Sequence, residues 1–161
     1  TTLSPPKGVN LINVKSAAEM LTAVREHKAD LYICAAAVAD YTVANPANEK
    51  LKKKTESMSI ELVPTVDILA EIGANKQKGE FVVGFALETN NELQHAKAKL
   101  EAKKLDLIVL NSLRDKGAGF GVSTNKVTFI NKSNQVIENE LKSKAEVAKD
   151  LMQLILKQID A

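Results

Sequence analysis

The sequence predicts an α/β fold: a three-layer, mostly parallel sheet with a projecting or edge β-hairpin. The first observation is that short apolar segments rich in β-branched residues alternate with amphipathic helical segments. The second is a pair of short strands around the polar turn Asn131–Asn134, which departs from that alternation. Helices therefore cover both faces of the sheet, and the hairpin is expected at an edge.

In the N-terminal third of the chain, the sequence pattern predicts a short strand at Val9–Val14 and a helix from Ala17 to about His27. The main strand runs from Leu31 to roughly Val38 and is expected to be buried. A polar segment, Ala39–Lys54, follows it, and a loop of that length in a compact domain is usually functional or mobile.

The remaining strands are predicted at Met58–Val63, Phe81–Phe85, Leu105–Leu110, Val127–Ile130 and Gln135–Glu138. The remaining helices are predicted at Val66–Asn75, from Thr89 to Lys104, and from Ser143 to the C-terminus. Three helices begin with a capping-box pattern, at Ser16/Glu19, Thr89/Glu92 and Ser143/Glu146.

Composition narrows the class of protein. The chain has 161 residues and 45% hydrophobic residues, which indicates one globular domain over residues 1–161. The net charge of +2 and the 4% aromatic content argue against nucleic-acid binding. A single cysteine, Cys34, points to a reducing cytoplasm, and no apolar run is long enough to predict a membrane span.

The exit of the Leu31–Val38 strand is the strongest candidate site, since ligands of open α/β sheets bind beyond the carboxyl ends of the strands. Asp40 could bind Mg²⁺ or a ribose hydroxyl, or could be an ordinary turn residue. A lysine cluster follows it, and could clamp phosphate or form a solvated loop: Lys50, Lys52, Lys53 and Lys54.

Other candidate features are weaker. Lys99 and Lys103 share a helix face and could bind an anion, although a solvated helix surface is the better interpretation from the residues alone. The Gly84–Thr89 turn offers a helix N-terminus to an anion, a common arrangement. Neither G-x-G-x-x-G nor a Walker phosphate loop is present, Cys34 is more simply a core residue, and the histidines have no zinc-ligand spacing.

In combination, six motifs resemble the synthetase half of bacterial phosphopantothenate–cysteine ligases. They are AAAVADY (35–41), EKLKKK (49–54), VDIL (66–69), GFALETNN (84–91), KKLDLIVLN (103–111) and GAGFG (117–121). The resemblance covers nearly the whole chain and implies a Rossmann-like, homodimeric enzyme of coenzyme A biosynthesis. It implies activation of 4′-phosphopantothenate by CTP and Mg²⁺ to an acyl-cytidylate, from which L-cysteine displaces CMP.

The resemblance also implies roles for individual residues. Lys50 would stabilise the acyl-cytidylate, and Asp40 would bind the nucleotide through its ribose or metal. The cytidine pocket, the backbone cradle and the triphosphate contacts would come from Cys34, Ala35, Ala36, Val66, Asp67, Ile68, Leu69, Phe85, Lys99 and Lys103. The family usually has proline where Val66 stands.

The family begins with a strand, a GGT-type turn and an SSG-containing segment, none of which is in this sequence. We therefore expect an N-terminally truncated synthetase domain that is impaired as a ligase by itself. The resemblance also allows a preceding decarboxylase domain, which would carry FMN. The alternatives are a non-catalytic nucleotide-binding or dimerisation fragment and a Rossmann-type oxidoreductase.

Overall fold

The computed structural model of the chain describes residues 4–52, 57–112 and 121–160. In chain order its elements are α1 (Ala17–Glu26), β1 (Leu31–Cys34), β2 (Tyr41–Val43), β3 (Leu62–Pro64), α2 (Ile68–Asn75), β4 (Phe81–Glu88), α3 (Glu92–Ala102), β5 (Leu107–Ser112), β6 (Thr124–Asn125), β7 (Val127–Asn131), β8 (Val136–Glu138), β9 (Lys142–Ser143) and α4 (Lys144–Ile159). The described residues form two compact units. The first draws on Thr1–Lys28 and Ala37–Asp67, and the second on Ala29–Ala36 and Ile68–Ala161.

The second unit is built on a five-stranded sheet in the order β1-β4-β5-β7-β8. Strands β1, β4 and β5 are parallel, whereas β7 and β8 add an antiparallel hairpin at the edge. The predicted α/β fold with an edge hairpin is therefore confirmed.

The side chains of the five-stranded sheet point alternately to its two faces, and helices pack on both. One face packs against the buried side of α4, and that core contains Phe81, Val83, Leu107, Val109, Val127, Phe129, Val147, Leu151 and Ile155. On the other face, Leu69 of α2 lies against Gly84 of β4, and α3 buries Ala96 and Leu100. Because neighbouring residues of a strand point to opposite faces, these helices form the three predicted layers.

The first unit contains α1 and a two-stranded antiparallel ribbon of β2 and β3, all six of whose residues are exposed. No strand forms among the described residues at Val9–Val14, where Val9, Leu11 and Ile12 are exposed. Alternation alone does not make a strand there, because a strand also needs a partner for its backbone N–H and C=O groups.

Two further expectations about β1 and α3 are wrong. Strand β1 lies at the edge of the described sheet and is only partly buried, with Ile33 42% exposed. Helix α3 has no Thr89/Glu92 capping box, because β4 extends to Glu88 and Asn91 is the N-cap in the left-handed region, without a side-chain cap bond.

The other two capping boxes differ from each other. Ser143 and Glu146 cap α4 reciprocally, as predicted. At α1 the Glu19 N–H donates to Ser16 Oγ at 3.2 Å, but the Glu19 carboxylate accepts from the backbone N–H of Lys15 instead of Ser16. The capping box of α1 is therefore only half formed.

Candidate nucleotide site at the carboxyl ends of the strands

Two of the sequence motifs, VDIL and GFALETNN, meet beside Cys34 at the carboxyl ends of β1 and β4. Cys34, the last residue of β1, is paired in register with Gly84 of β4. A Cβ built on Gly84 would lie 2.7 Å from Leu69 Cδ2, so the start of α2 packs directly on the strand backbone. The residues Cys34, Leu69 and Gly84 are thus brought together on the α2 face of the sheet.

The segment Cys34–Ala36 forms the exit from β1. Cys34 is half-buried, and Ala35 and Ala36 are exposed beyond the end of the strand. Burial raises the pKa of the Cys34 thiol, so the side chain is neutral at physiological pH and unsuited to act as a nucleophile. What this segment offers to a ligand is small side chains and an accessible backbone.

Phe85 follows Gly84 in β4, and its side chain lies on the opposite face, where it packs against the α4 core. The ring is only half-buried, although it lies in the central part of the sheet. Ile68, the first residue of α2, is buried at 6% exposure, so it can contribute backbone groups to a cradle but no accessible side chain.

Lys99 reaches the carboxyl end of β4 from the adjacent helix. Its Nζ lies 2.7 Å from Glu88 Oε1, and Glu88 is the last residue of β4. Lys103 lies one turn further along, at the C-cap of α3, where the chain returns to the amino end of β5. The structure therefore places Lys99 at the candidate site and Lys103 toward the opposite end of the helix.

The end of α3 packs closely against α2 at Gly73, which has no side chain. A Cβ on Gly73 would run into the backbone carbonyl oxygen of Lys103. The position of the Lys103 backbone is thus determined by helix–helix packing, since only glycine allows this approach.

The other predicted site residues belong to the first unit. The Asp40 carbonyl accepts a hydrogen bond from the Thr65 N–H at 2.9 Å, and Thr65 Oγ1 donates to the Ala39 carbonyl at 2.5 Å. These bonds bring Asp40 next to the exposed Val66–Asp67 segment. Lys50 lies in an exposed segment without regular secondary structure.

Part of the lysine cluster cannot be placed. Lys52 is exposed, whereas Lys53 and Lys54 lie outside the described residues, as does most of the predicted GAGFG loop.

Within the described ranges, no group of three His, Cys, Asp or Glu side chains could hold a metal ion. Asp40 is an exposed single carboxylate, which fits a Mg²⁺ shared with nucleotide phosphates better than a site made by protein alone. None of the helices in the described part of the chain has the length and apolar character needed to cross a bilayer.

Several polar residues at the carboxyl ends of β4 and β5 were not predicted. Glu88 is paired in register with Ser112, whose Oγ donates to Glu92 Oε1 at 2.9 Å. Asn125 Nδ2 donates to Asn111 Oδ1 at 2.6 Å. Asn111 directly follows the buried apolar run Leu107–Leu110, and this is the sequence signal that could have found it.

The chain resembles known proteins over nearly its whole length. Residues 1–159 match the family described as the DNA/pantothenate metabolism flavoprotein C-terminal domain. The chain is 44% identical over 156 residues to the coenzyme A biosynthesis bifunctional protein CoaBC of Bacillus subtilis, covering 95% of this chain and 38% of that protein. It is also 50% identical over 158 residues to a protein named cysteine/cysteine sulfinic acid decarboxylase from an unknown prokaryotic organism, covering 96% of this chain and 44% of that protein.

A solved structure, the C-terminal domain of CoaBC, superposes with a TM-score of 0.80 at 35% identity, covering 99% of this chain and 70% of that one. The chain thus spans less than half the length of these two curated relatives. The resemblance to the C-terminal half of the bifunctional protein, first seen in its motifs, is confirmed. The chain belongs to the family of DNA/pantothenate metabolism flavoprotein C-terminal domains.

Proposed function

We propose that this chain is the synthetase part of a phosphopantothenate–cysteine ligase of coenzyme A biosynthesis. In this reaction CTP activates 4′-phosphopantothenate to an acyl-cytidylate with release of pyrophosphate, and the amine of L-cysteine then displaces CMP. The observation that carries the proposal is the meeting of Cys34 with Leu69 and Gly84, the last two from the VDIL and GFALETNN motifs, at the carboxyl ends of β1 and β4. The extensive identity to CoaBC supports it.

The residues that the family resemblance assigns to the site suit a reaction that depends on positioning and charge. The exposed Ala35–Ala36 segment and the half-buried Phe85 ring would hold the cytidine, and the backbone from Val66 to Leu69 would cradle the nucleotide. Cationic side chains stabilise the charge that develops on phosphate oxygens, and we assign that role to Lys50, with Lys99 as a further contact. Lys103, which the resemblance also implies, lies at the C-cap of α3, toward the other end of that helix. The chemistry needs no nucleophilic side chain, which fits the neutral thiol of Cys34.

Mg²⁺ would reduce the charge of the triphosphate, and Asp40 is the carboxylate that we assign to it. We further propose a homodimer located in the cytoplasm, associated with an FMN-dependent decarboxylase domain in the longer protein. Sedimentation velocity of the purified chain tests the dimer, and a monomer at micromolar concentration would contradict it.

The rival candidates make different predictions. The 50% identical relative is named for decarboxylation, so the chain could serve a protein whose main activity lies in another domain. It could also be a non-catalytic nucleotide-binding or dimerisation fragment. Only the ligase proposal predicts pyrophosphate release that depends on both CTP and 4′-phosphopantothenate.

The first experiment is calorimetric titration of CTP, and separately of ATP, into the chain with Mg²⁺. We expect selective binding of CTP, weakened about tenfold by Lys50→Gln through loss of a charge-assisted contact. Lys28→Gln, which removes the same charge from another exposed position in the same unit, is the matched control and should bind like the wild type.

Absence of binding to the chain would call for the same titration on a version extended at its N-terminus by the corresponding CoaBC segment. Binding there would support the proposal and show that the site needs that segment. No binding in either version, or equal binding of CTP and ATP, would contradict it.

A further inference from the structure

The last residue of β4, Glu88, is a largely buried carboxylate to which the proposed reaction has so far given no role. Its side chain is 12% exposed. Glu88 Oε1 lies 2.7 Å from Lys99 Nζ, and Glu88 Oε2 lies 3.5 Å from His95 Nδ1. Because His95 and Lys99 are four residues apart on α3, the carboxylate lies between two side chains of the same helix face.

The hydrogen bonding of Glu88 is incomplete. Lys99 Nζ forms an ion pair with the buried Glu88 Oε1 at 2.7 Å, and among the described residues no hydrogen bond to that oxygen adds to the ion pair. Burying a carboxylate in this way contributes little to stability, since desolvation offsets most of the attraction to the lysine. A purely structural role therefore explains the arrangement poorly.

A second buried carboxylate, Asp106, shows the contrast. Asp106 is 4% exposed and lies just before β5, at the amino end of the parallel strands. Its Oδ2 accepts from the Val82 N–H at 2.9 Å and from Lys76 Nζ at 2.6 Å, and its Oδ1 accepts from Lys132 Nζ at 3.4 Å. The fully bonded carboxylate lies at the end of the sheet away from the site, and the incompletely bonded one lies at the site.

We propose that Glu88 is a positioning residue that holds the ammonium group of Lys99 at the carboxyl end of β4, ready to meet nucleotide phosphate. The inference rests on the proposed function. The Lys99 side chain is 46% exposed, so its ammonium group remains accessible while the carboxylate restrains it. A free lysine loses much rotamer entropy when it binds a phosphate, and a lysine restrained in advance loses less.

A carboxylate near a triphosphate also repels it, so there is a physical basis for Glu88 weakening CTP binding instead of strengthening it. If Glu88 only neutralised Lys99, then removing its charge would strengthen CTP binding. If Glu88 positions Lys99, then removing its charge weakens CTP binding, but only while Lys99 is present. The sign and its dependence on Lys99 therefore separate the two roles.

The test is a double-mutant cycle on the chain, with CTP affinity measured by calorimetry in the presence of Mg²⁺. Glu88→Gln keeps the size of the side chain and should weaken CTP binding ~3–5-fold. Lys99→Gln should weaken it ~10-fold, and adding Glu88→Gln to that variant should cause no further loss. Lys97→Gln removes the same charge from the same helix and should leave affinity unchanged. Melting temperatures of all variants establish that each is folded.

The outcomes separate this inference from the proposed function. Wild-type CTP binding with the expected non-additive losses supports both. Wild-type binding with a Glu88→Gln variant that binds equally or more tightly, or that loses the same factor with and without Lys99, overturns the role of Glu88 alone. Failure of the wild-type chain and its N-terminally extended version to bind CTP overturns both.

Discussion

Leu69 lies on the backbone of Gly84, in the space that any larger residue at position 84 would need. A Cβ at Gly84 would approach Leu69 Cδ2 to 2.7 Å and Leu105 Cδ1 to 2.8 Å. This contact joins the VDIL and GFALETNN motifs, which are separated in sequence by the rest of α2 and the start of β4. Glycine in the second motif is thus required by packing on the sheet.

Gly84→Ala should destabilise the chain by about 1–3 kcal/mol, because the added methyl group overpacks the interface of α2 with β4. Urea denaturation followed by circular dichroism measures the change. Adding Leu69→Ala should relieve part of the clash, so the double variant should be more stable than the sum of the single losses implies. Strict additivity would show that Leu69 is not what excludes a side chain at position 84.

Asp106→Asn should lower the free energy of unfolding by about 3 kcal/mol, because it removes the negative charge that pairs with Lys76 in a largely buried site. Lys76 is 21% exposed and bonds at 2.6 Å, whereas Lys132 is 70% exposed and lies at 3.4 Å. Lys132→Gln, measured by the same urea titration, should therefore cost less than ~1 kcal/mol. Equal losses for the asparagine and glutamine variants would contradict this ranking.

Cys34 should react slowly with iodoacetamide in the folded chain. Burial raises the pKa of its thiol, so the thiolate fraction at pH 8 is smaller than in a free cysteine, and the rate profile should shift to higher pH. The chain has one cysteine, so mass spectrometry of the alkylated product reports this site alone. The rate in urea is the control, and a folded rate equal to it would argue against burial. CTP should slow the reaction further if Cys34 lines the nucleotide pocket.

The capping box of α4 should make stability depend on pH. The Ser143 hydroxyl and backbone N–H donate to Glu146 and lower its pKa. A carboxyl group whose pKa is lowered by folding contributes stability above its unfolded pKa, and loses it as the pH falls through the folded value. Melting temperature should therefore fall between pH 6 and pH 3.

Ser143→Ala should lower the melting temperature at pH 6 and reduce the part of this fall that Glu146 causes. Thr22→Ala, on an exposed face of α1, is a control that should leave the pH dependence of the melting temperature unchanged. Identical pH dependence in the Ser143→Ala chain and the wild type would contradict the assignment to Glu146.

Local patterns identified most elements and several site residues. The amphipathic helices and the apolar strands β4, β5 and β7 were predictable because each has a periodicity that its own residues specify. The motifs also placed candidate residues at strand exits, where α/β proteins bind ligands. Val9–Val14 shows the limit, since its alternation predicts a strand that the structure does not form.

Pairs of residues distant in sequence could not be predicted in the same way. The exposure of β1 depends on which strand lies beside it, and the sequence of β1 contains no information about its neighbours. The pairing of Glu88 with Lys99, and the full bonding of Asp106, depend on where helices pack against the sheet. Lys103 was grouped with Lys99 by spacing, yet α3 carries it toward the other end of the strands.

By itself, the sequence determined the α/β class, the edge hairpin and the family, because these follow from local periodicity and from motifs that act within a few residues. The tertiary structure decided which motifs meet, as in Leu69 on Gly84, and how a buried carboxylate is bonded, by backbone and lysine at Asp106 and by an ion pair with Lys99 at Glu88. The physical reason is that burial and hydrogen bonding are properties of contacts between elements, and those contacts exist only once the elements have packed.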